Sequence, residues 1–259
     1  MITKLTENII EIKNIFKSFH VGTQDVAVLK DISFNVKKGD FLIIYGPSGC
    51  GKSTLLHTIL GLEAPTKGSI VFLNKDFYKD SSGEDRIEDD RAEFRKNHIG
   101  MVYQQANWIK SLNVLENVVF PLSLLGIARD KREDPARELL RVMGMLGWAN
   151  YSPSELSSGQ QQKVALARAL VTDPEVIIAD EPTGNLDFES GQELMCLLTD
   201  LNRDQGKTIV MVTHDLEYLK FARDTVRMFN GQVVEINTNK ENSRKDIRCK
   251  KVDLKLNVK

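Results

Sequence analysis

The chain has 259 residues, of which 41% are apolar and 27% are charged, a composition typical of a globular protein and not of a disordered or fibrous one. Lysine and arginine number 35 against 36 acidic residues, so the composition does not favour binding of nucleic acid through a basic face. No run approaches the ~18 apolar residues of a membrane-spanning helix, and the first residues lack the apolar core of a signal peptide. A role at a membrane is therefore expected to need a partner, and three widely spaced cysteines favour a reducing, cytoplasmic compartment.

The N-terminal part of the chain has the patterns of β-strands. Apolar residues alternate with polar ones at positions 10 and 12 and again at 32, 34 and 36, which predicts half-buried strands. The run Phe41–Tyr45 is apolar throughout, as expected for a central strand buried on both faces. Helical spacing follows at 55–62, and residues 69–73 predict a further strand.

The middle of the chain is predicted to be mainly helical. Residues 80–96 carry many charges of both signs, which favours a solvated connector with a short amphipathic helix. Residues 113–146 have mostly helical spacing, with expected breaks at Pro121 and Gly126. This pattern predicts a helical lobe at about 105–165, inserted between strands.

The C-terminal half returns to alternating strands and helices. The apolar runs 176–179 and 208–212 predict buried strands, and an amphipathic helix over 190–201 separates them. Asn230-Gly231 between apolar residues predicts a β-hairpin. Strands that alternate with helices imply an α/β fold with a mostly parallel sheet covered on both faces.

The glycine-rich segment is the strongest signal for a ligand site. Residues 46–53 match the pattern G-x-x-x-x-G-K-[ST] between a predicted strand and a predicted helix. Its glycines let successive backbone N–H groups surround a phosphate chain at the positive end of the helix, while Lys52 reaches the β- and γ-phosphates and Ser53 binds Mg²⁺. The sequence thus predicts a nucleotide site formed by Gly46, Ser48, Gly49, Cys50, Gly51, Lys52, Ser53 and Thr54.

Polar residues end two of the other predicted strands. Asp180 and Glu181 follow the strand 176–179, and we expect them at the same sheet edge as the phosphate loop. Asp180 is suited to the Mg²⁺ shell and Glu181 to accepting a proton from the attacking water. His214 ends the neighbouring strand, where an imidazole N–H could meet the γ-phosphate. Each residue taken alone has a simpler interpretation, a helix cap for the acids and a surface or core position for the histidine.

Residues 156–170 resemble the signature motif of a known family. Leu156-Ser-Ser-Gly-Gln160, followed by QQKVALARAL and then VIIADEPTGNLD, is similar to the pattern of ATP-binding cassette (ABC) ATPases. The resemblance extends from about Ile9 to Ile236. It implies a phosphate-loop NTPase fold with a RecA-like core, an antiparallel β lobe and an inserted α-helical lobe. It further implies a head-to-tail dimer that holds ATP between the phosphate loop of one subunit and the signature of the other.

The resemblance also implies roles for further residues. Phe19 takes the place of the aromatic that stacks on adenine, although an ordinary core position in the β lobe is nearly as good an interpretation. Gln104 matches the glutamine that contacts Mg²⁺ and water and transmits movement to a membrane partner, and its spacing favours it over Gln105. The residues expected to close over ATP bound to the other subunit are Ser157, Ser158, Gly159, Gln160 and Asp187.

Two positions depart from the family pattern. Ser158 stands where the signature usually has its first glycine, and Lys163 stands where arginine is more frequent. A side chain at 158 next to the phosphate could tighten or slow closure. Because the phosphate loop, the acids and the histidine are intact, the resemblance still implies an active ATPase.

The domain organisation follows from the extent of the resemblance. Residues 1–236 are predicted to form one ATPase domain, and 237–259 a tail with eight basic and three acidic residues. A solvated extension is the simpler interpretation of the tail, and contact with an anionic membrane surface the alternative.

The QQQ run, ADEPTGNLD and LENVVFPL are similar to the ABC ATPases that serve lipoprotein release, macrolide or peptide efflux and cell division. This similarity implies a partner permease at the inner face of the cell membrane, paired with two copies of the chain or with a related ATPase subunit. The work done is either export and extraction or, alternatively, a signal relayed to envelope hydrolases without transport. A soluble ATPase acting on ribosomes or DNA is a third, less favoured interpretation.

Overall fold

The computed structural model describes residues 8–79, 88–238 and 249. They belong to two compact units, one formed by Met1–Glu93 with Val210–Ser243 and the other by Phe94–Ile209 with Arg244–Lys259. Most of the predicted basic tail and the first part of the predicted charged connector lie outside the described residues. Among the helices that are described, none is long and apolar enough to cross a membrane.

The elements alternate between strands and helices, as the sequence predicts. In chain order the described residues form β1 (Asn8–Val21), β2 (Gln24–Lys37), β3 (Phe41–Tyr45), α1 (Lys52–Ile59), β4 (Lys67–Phe72), β5 (Lys75–Asp76), α2 (Glu88–His98), β6 (Ile99–Tyr103), α3 (Val114–Leu124), α4 (Glu133–Val142), α5 (Ser158–Leu170), β7 (Val176–Asp180), α6 (Phe188–Gln205), β8 (Thr208–Thr213), β9 (Asp224–Phe229) and β10 (Gln232–Thr238). Short 3₁₀ helices at Arg129–Lys131, Leu146–Trp148, Pro153–Glu155 and Leu216–Phe221 complete the connections.

The first unit contains an antiparallel sheet of strand order β2-β1-β4-β5. The alternating residues that predict these strands, such as Ile10, Ile12 and Ile32, are at most 1% exposed. The unit also holds the neighbouring strands β10-β9-β3-β8, in which β3 runs parallel to β9. Phe41–Ile44 are buried, as the uninterrupted apolar run predicts.

The predicted hairpin lies between β9 and β10. Asn230 and Gly231 have φ values of 46° and 78°, the left-handed conformations that a two-residue type I′ turn requires at both positions. The turn is also tied to the rest of the unit, because the Gly231 N–H donates to the carbonyl of Cys50 at 3.1 Å.

The second unit contains the parallel pair β6–β7 and the helical lobe. Gly100 of β6 packs so closely on α5 that a Cβ there would lie 2.4 Å from the carbonyl oxygen of Ala169. Leu194, Leu198 and Leu201 line the buried face of α6, as its periodicity predicts.

The predicted helix break at Pro121 is wrong, because Pro121 lies inside α3. The missing N–H removes one bond of the helix, but α3 has only three residues beyond the proline and is capped at its other end. There the Asn113 side chain and Glu116 form a reciprocal capping box. The predicted end near Gly126 is confirmed, since Gly126 follows the C-cap with φ of 72°.

Two of the cysteines form a disulfide for which the sequence offered no pairing signal. Cys196 of α6 is bonded to Cys249, with a Cα–Cα distance of 5.4 Å. Cys50, in contrast, is a buried free thiol. The wide sequence spacing of the cysteines, which favoured a reducing compartment, therefore did not predict this pair.

A buried acid, Asp40, precedes β3 and neighbours the half-buried Asp224 that begins β9. Asp40 is 1% exposed, accepts a hydrogen bond from the Lys37 N–H and lies 3.1 Å from Arg223. Burial and the neighbouring Asp224 carboxylate raise the pKa of Asp40 to about 6. The folded state consequently holds a proton that the unfolded chain releases at lower pH.

We expect Asp40→Asn to flatten the pH dependence of stability. A raised pKa in the folded state contributes stability that is present below the unfolded pKa and is lost as the pH rises through about 6. Between pH 5 and 7.5 the wild type should lose about 1 kcal/mol more stability than Asp40→Asn, which lacks this titrating group. Urea unfolding at both values measures it. Exposed Asp130→Asn is the control, and equal slopes in wild type and Asp40→Asn would contradict the assignment.

Candidate active site

The phosphate loop of the first unit connects β3 to α1. Gly51 is the N-cap of α1, with φ of 102°, and the N–H groups of the first helical turn point back towards the loop. A Cβ at Gly46 would lie 2.2 Å from the Met228 carbonyl oxygen. Glycine at 46 is therefore required by packing against β9, and glycine at 51 by backbone conformation.

Lys52, the first residue of α1, is 5% exposed. Its ammonium donates to the carbonyl oxygens of Gly46 at 3.0 Å and Pro47 at 3.1 Å. Ser48, Gly49 and Ser53 are exposed next to it. Negatively charged phosphate oxygens are stronger acceptors for an ammonium than neutral carbonyls are. The loop thus has a cation ready to exchange its carbonyl partners for phosphate.

Two other predicted residues lie in the same unit. His214 is exposed directly after the end of β8, before the 3₁₀ helix that Asp215 caps. Phe19 in β1 is half-exposed and has the Lys17 ammonium 4.8 Å from its ring centre. Phe19 is therefore not a fully buried core residue, and its adenine-stacking role stays a prediction.

In the second unit the predicted acids end strand β7. Asp180 pairs with Tyr103 in the parallel register, so Gln104 and Glu181 both follow directly at the same end of β6 and β7. Burial, and then the charge of Asp180, raise the pKa of Tyr103. Glu181 has φ of 46°, a left-handed conformation that is strained for a residue with a side chain. Such strain at a predicted catalytic residue is a feature of active sites.

Gln104 contacts the loop that follows Glu181. Its Nε2 donates to Oδ1 of Asn185 at 3.4 Å, and a Cβ at Gly184 would lie 2.7 Å from the same nitrogen. Gln105 is exposed. The contact therefore favours Gln104 over Gln105, as the spacing does.

The signature segment begins helix α5. Ser157 is the N-cap, its hydroxyl accepts from the Gln160 N–H, and the Gln160 side chain accepts from the Ser157 N–H. Ser158 is exposed. The first-turn N–H groups of α5 thus form a second helix N-terminus suited to an anion.

The signature also packs on α6. Asp187 is the N-cap of α6, and hydrogen bonds from Ser190 lower the pKa of Asp187. Lys163 forms an ion pair with Glu193 at 2.6 Å. Lys163 thus keeps a cation at this position and places it against α6.

Gly159 leaves no room for a side chain. A Cβ there would lie 2.7 Å from Oγ and 2.9 Å from Cβ of Ser190. We expect Gly159→Ala to lower the melting temperature by about 2–6 °C, because overpacking costs more than the helix gains from alanine. Gly147→Ala is the matched control, since nothing lies within 4 Å of its Cβ position. A variant as stable as the control in thermal unfolding would contradict this packing.

The structure thus gathers the predicted residues into one set in each unit. The phosphate loop, His214 and Phe19 belong to the first, and Gln104, Asp180, Glu181, Asp187 and the signature belong to the second. Within residues 8–79, 88–238 and 249, no group of three or more His, Cys, Asp or Glu side chains could hold a metal by itself. The predicted magnesium ligands are a hydroxyl, an amide and one carboxylate, the few oxygen donors that Mg²⁺ uses together with phosphates and water.

Several residues that surround Gln104 were not predicted from the sequence. A cleft of about 360 Å³ in the second unit is lined by Gln104, Gln105, Ala106, Asn107, Trp108, Ser158, Gln161, Gln162, Asn185 and Leu186. Trp108 and Gln162 contribute to it through contacts between distant parts of the chain. The QQQ run after the signature was the sequence signal that could have pointed to these residues.

A phosphate loop between a strand and a helix, with acids ending a parallel strand, defines a nucleotide-hydrolysing α/β protein. Comparison with known proteins specifies the class. Residues 29–184 match the ABC transporter family, and the chain belongs to that family. It is a transporter ATP-binding subunit with ATPase activity, with the mixed α/β cassette fold.

Relatives and solved structures agree on this assignment. The chain is 43% identical over 227 residues to the ABC transporter ATP-binding protein MJ1508 of Methanocaldococcus jannaschii, covering 88% of this chain and 98% of the relative. It is 39% identical to the lipoprotein-releasing system ATP-binding protein LolD of Geobacter metallireducens, with the same coverage. The dimeric post-hydrolysis structure of the cassette MJ0796, bound to ADP and Pi, superposes with a TM-score of 0.80 at 37% identity, covering 90% of this chain and 99% of that one.

Proposed function

We propose that this ATPase subunit pairs head-to-tail with a second copy around ATP and powers a separate membrane permease for export or extraction of a lipoprotein, peptide or drug. Two features of the comparisons support the proposal. The structure of MJ0796 is a dimer, and LolD is the ATP-binding protein of a lipoprotein-releasing system.

The observation that carries the proposal is the cleft beside Gln104. Gln104, the first turn of the signature helix and Asn185 all line it, so one surface joins a residue predicted to sense ATP with two segments predicted to face a second subunit. A permease segment bound there would contact all three.

ATP binding requires groups that match its charge and its ring. Lys52 and the first-turn N–H groups of α1 would hold the phosphates, and Phe19 would stack on the adenine. Ser157, Ser158, Gly159 and Gln160 of the other copy would close over the γ-phosphate with the N-terminus of α5.

Magnesium would be held by Ser53, Gln104 and Asp180, together with phosphate oxygens and water. When bound, the ion offsets the negative charge of the phosphates. Asp180, which is half-buried and is paired with Tyr103 across the two strands, supplies the charged oxygen.

In the chemical step Glu181 accepts a proton from a water whose oxygen forms a bond to the γ-phosphorus, while the bond from that phosphorus to the ADP oxygen breaks. His214 donates a hydrogen bond to the γ-phosphate oxygens. Loss of the γ-phosphate removes the groups that Ser157 and His214 contact, and the dimer opens. We propose that this opening reaches the permease through the cleft beside Gln104.

Reconstitution with a permease tests the proposal. The probe is the few-span membrane protein encoded by a neighbouring reading frame, inserted into vesicles with the chain and ATP. We expect the membrane protein to change the ATPase rate several-fold and substrate to move only with hydrolysis. Stimulation of the ATPase without movement of any substrate would favour the relay to envelope hydrolases. A chain that does not bind the membrane protein would contradict both the transport proposal and the relay.

A further inference from the structure

The three glutamines that follow the signature glycine have three different sets of partners. Gln160 caps α5 together with Ser157. Gln161 donates from Nε2 to the Leu156 carbonyl at 3.0 Å and accepts at Oε1 from the Trp108 Nε1–H at 2.9 Å. Gln162 turns the other way, into the protein, where it is 4% exposed.

Gln162 forms hydrogen bonds with the backbone at Gln104 and at the residue before it. Its Nε2 donates to the carbonyl oxygens of both Tyr103 and Gln104, each at 2.9 Å. Both contacts cross from α5 to the C-terminal end of β6. Buried hydrogen bonds of this length are lost if the two elements slide apart by about 1 Å, because the donor and acceptor then exceed bonding distance.

The segment after Gln104 is fixed to the same helix. Arg168 of α5 donates to the carbonyl oxygens of Ala106 and Asn107, and its guanidinium carbon lies 4.7 Å from the centre of the Trp108 ring. Further back along β6, Gly100 packs on α5 without room for a Cβ. Helix α5 is consequently tied to β6 and to residues 104–108 along its length.

We propose that Gln162 is a positioning residue that makes Gln104 move together with the signature helix. The inference rests on the proposed dimer, in which Gln104 serves the ATP of its own phosphate loop while Ser157–Gln160 serve the ATP of the other copy. Because Gln162 links Gln104 to the signature helix of the same chain, it couples the two ATP sites of the dimer. Closure of the signature on one ATP shifts Gln104 at the other, and the sites act cooperatively.

The variant Gln162→Met tests the link. Methionine has nearly the same length and volume and no N–H, so the variant loses both hydrogen bonds to β6. The matched control is Gln192→Met on α6, because the buried Nε2 of Gln192 has no hydrogen-bond partner among the described residues. Trp108→Phe is a second test, which keeps a ring over Arg168 and removes the bond to Gln161.

The measurement is the ATP dependence of the steady-state ATPase rate. We expect a Hill coefficient clearly above 1 for wild type and Gln192→Met, falling to about 1 in Gln162→Met and decreasing in Trp108→Phe. Binding of ATP to the monomer should change less than twofold, which a general loss of structure would not allow. An unchanged Hill coefficient in folded Gln162→Met, or a coefficient of 1 in wild type, would overturn the inference. If Gln162→Met does not fold, Gln162→Leu, which also lacks the N–H donors, takes its place, and an unchanged coefficient in that variant overturns the inference.

Light scattering separates this inference from the proposed function. ATP-dependent dimerisation of Glu181→Gln protein, combined with an unchanged Hill coefficient in Gln162→Met, would leave the dimer in place and remove only the role of Gln162. A chain that binds ATP and stays monomeric would instead contradict the proposal that ATP alone brings two copies together.

Discussion

Glu181→Gln should lower the ATPase rate by about 10²- to 10⁴-fold, the contribution that a positioned general base makes to proton transfer. The amide has the same shape as the carboxylate and cannot accept the proton from water at neutral pH. ATP binding should persist, since Lys52 and the phosphate loop are unchanged. The left-handed backbone at 181 disfavours both side chains alike, so the folded structure should be retained.

Phosphate release and light scattering measure the two consequences. We expect Glu181→Gln protein to be monomeric alone and dimeric with Mg-ATP, because trapped ATP holds the two copies together. Glu189→Gln, on the exposed first turn of α6, is the matched control and should hydrolyse ATP normally. Residual turnover above about a tenth of wild type would remove Glu181 from the role of base.

A monomer that binds ATP would have a different meaning. It would indicate either that the second subunit is another ATPase or that closure depends on the permease. Ser158 would then be the first position to change to glycine, because its side chain is exposed at the N-terminus of α5. Recovery of the dimer in Ser158→Gly would assign the defect to this departure from the family pattern.

Local patterns predicted those parts of the fold that local physics decides. The run Phe41–Tyr45, the periodicity of α6 and the Asn230-Gly231 turn each restrict the backbone within a few residues, and each prediction is confirmed. The break expected at Pro121 failed because a proline near a helix end costs one hydrogen bond, which the remaining contacts of α3 outweigh.

Contacts between distant segments could not be predicted from the sequence. The Cys196–Cys249 pair is separated by 53 positions, and Gln162 meets Tyr103 across 59. Neither partner carries a local signal for the other. The left-handed φ of Glu181 is likewise a product of the turn in which it lies, since glutamate itself disfavours that conformation.

In the candidate site, too, some features could be predicted from the sequence and others could not. Residue types and spacing predicted which side chains carry the chemistry, because phosphate and its counter-ion accept few kinds of partner. They did not predict that the Gln160 side chain caps its own helix or that Lys163 pairs with Glu193. Both are decided by packing of α5, which a pattern along one helix does not contain.

Lys52→Ala should weaken ATP binding by about 10- to 100-fold, because hydrogen bonds to charged groups contribute about 1.5–3 kcal/mol each. The ammonium is 5% exposed and is already directed into the phosphate loop. Alanine removes its charge and both of its hydrogen bonds to the loop backbone. The effect should fall on affinity itself, in contrast to Glu181→Gln, where affinity persists and turnover is lost.

Thermal unfolding with and without Mg-ATP measures this loss. A ligand that binds only the folded state stabilises it by an amount that grows with its concentration relative to Kd, so a weaker site gives a smaller shift in melting temperature. We expect a clear ATP-dependent shift in wild type and in the exposed control Lys110→Ala, and little or none in Lys52→Ala. Because the shift is taken within each variant, a change in the stability of the unliganded loop does not affect the comparison. Normal ATP affinity in Lys52→Ala would contradict the assignment of residues 46–53 to phosphate binding, since no other cation in that segment could replace it.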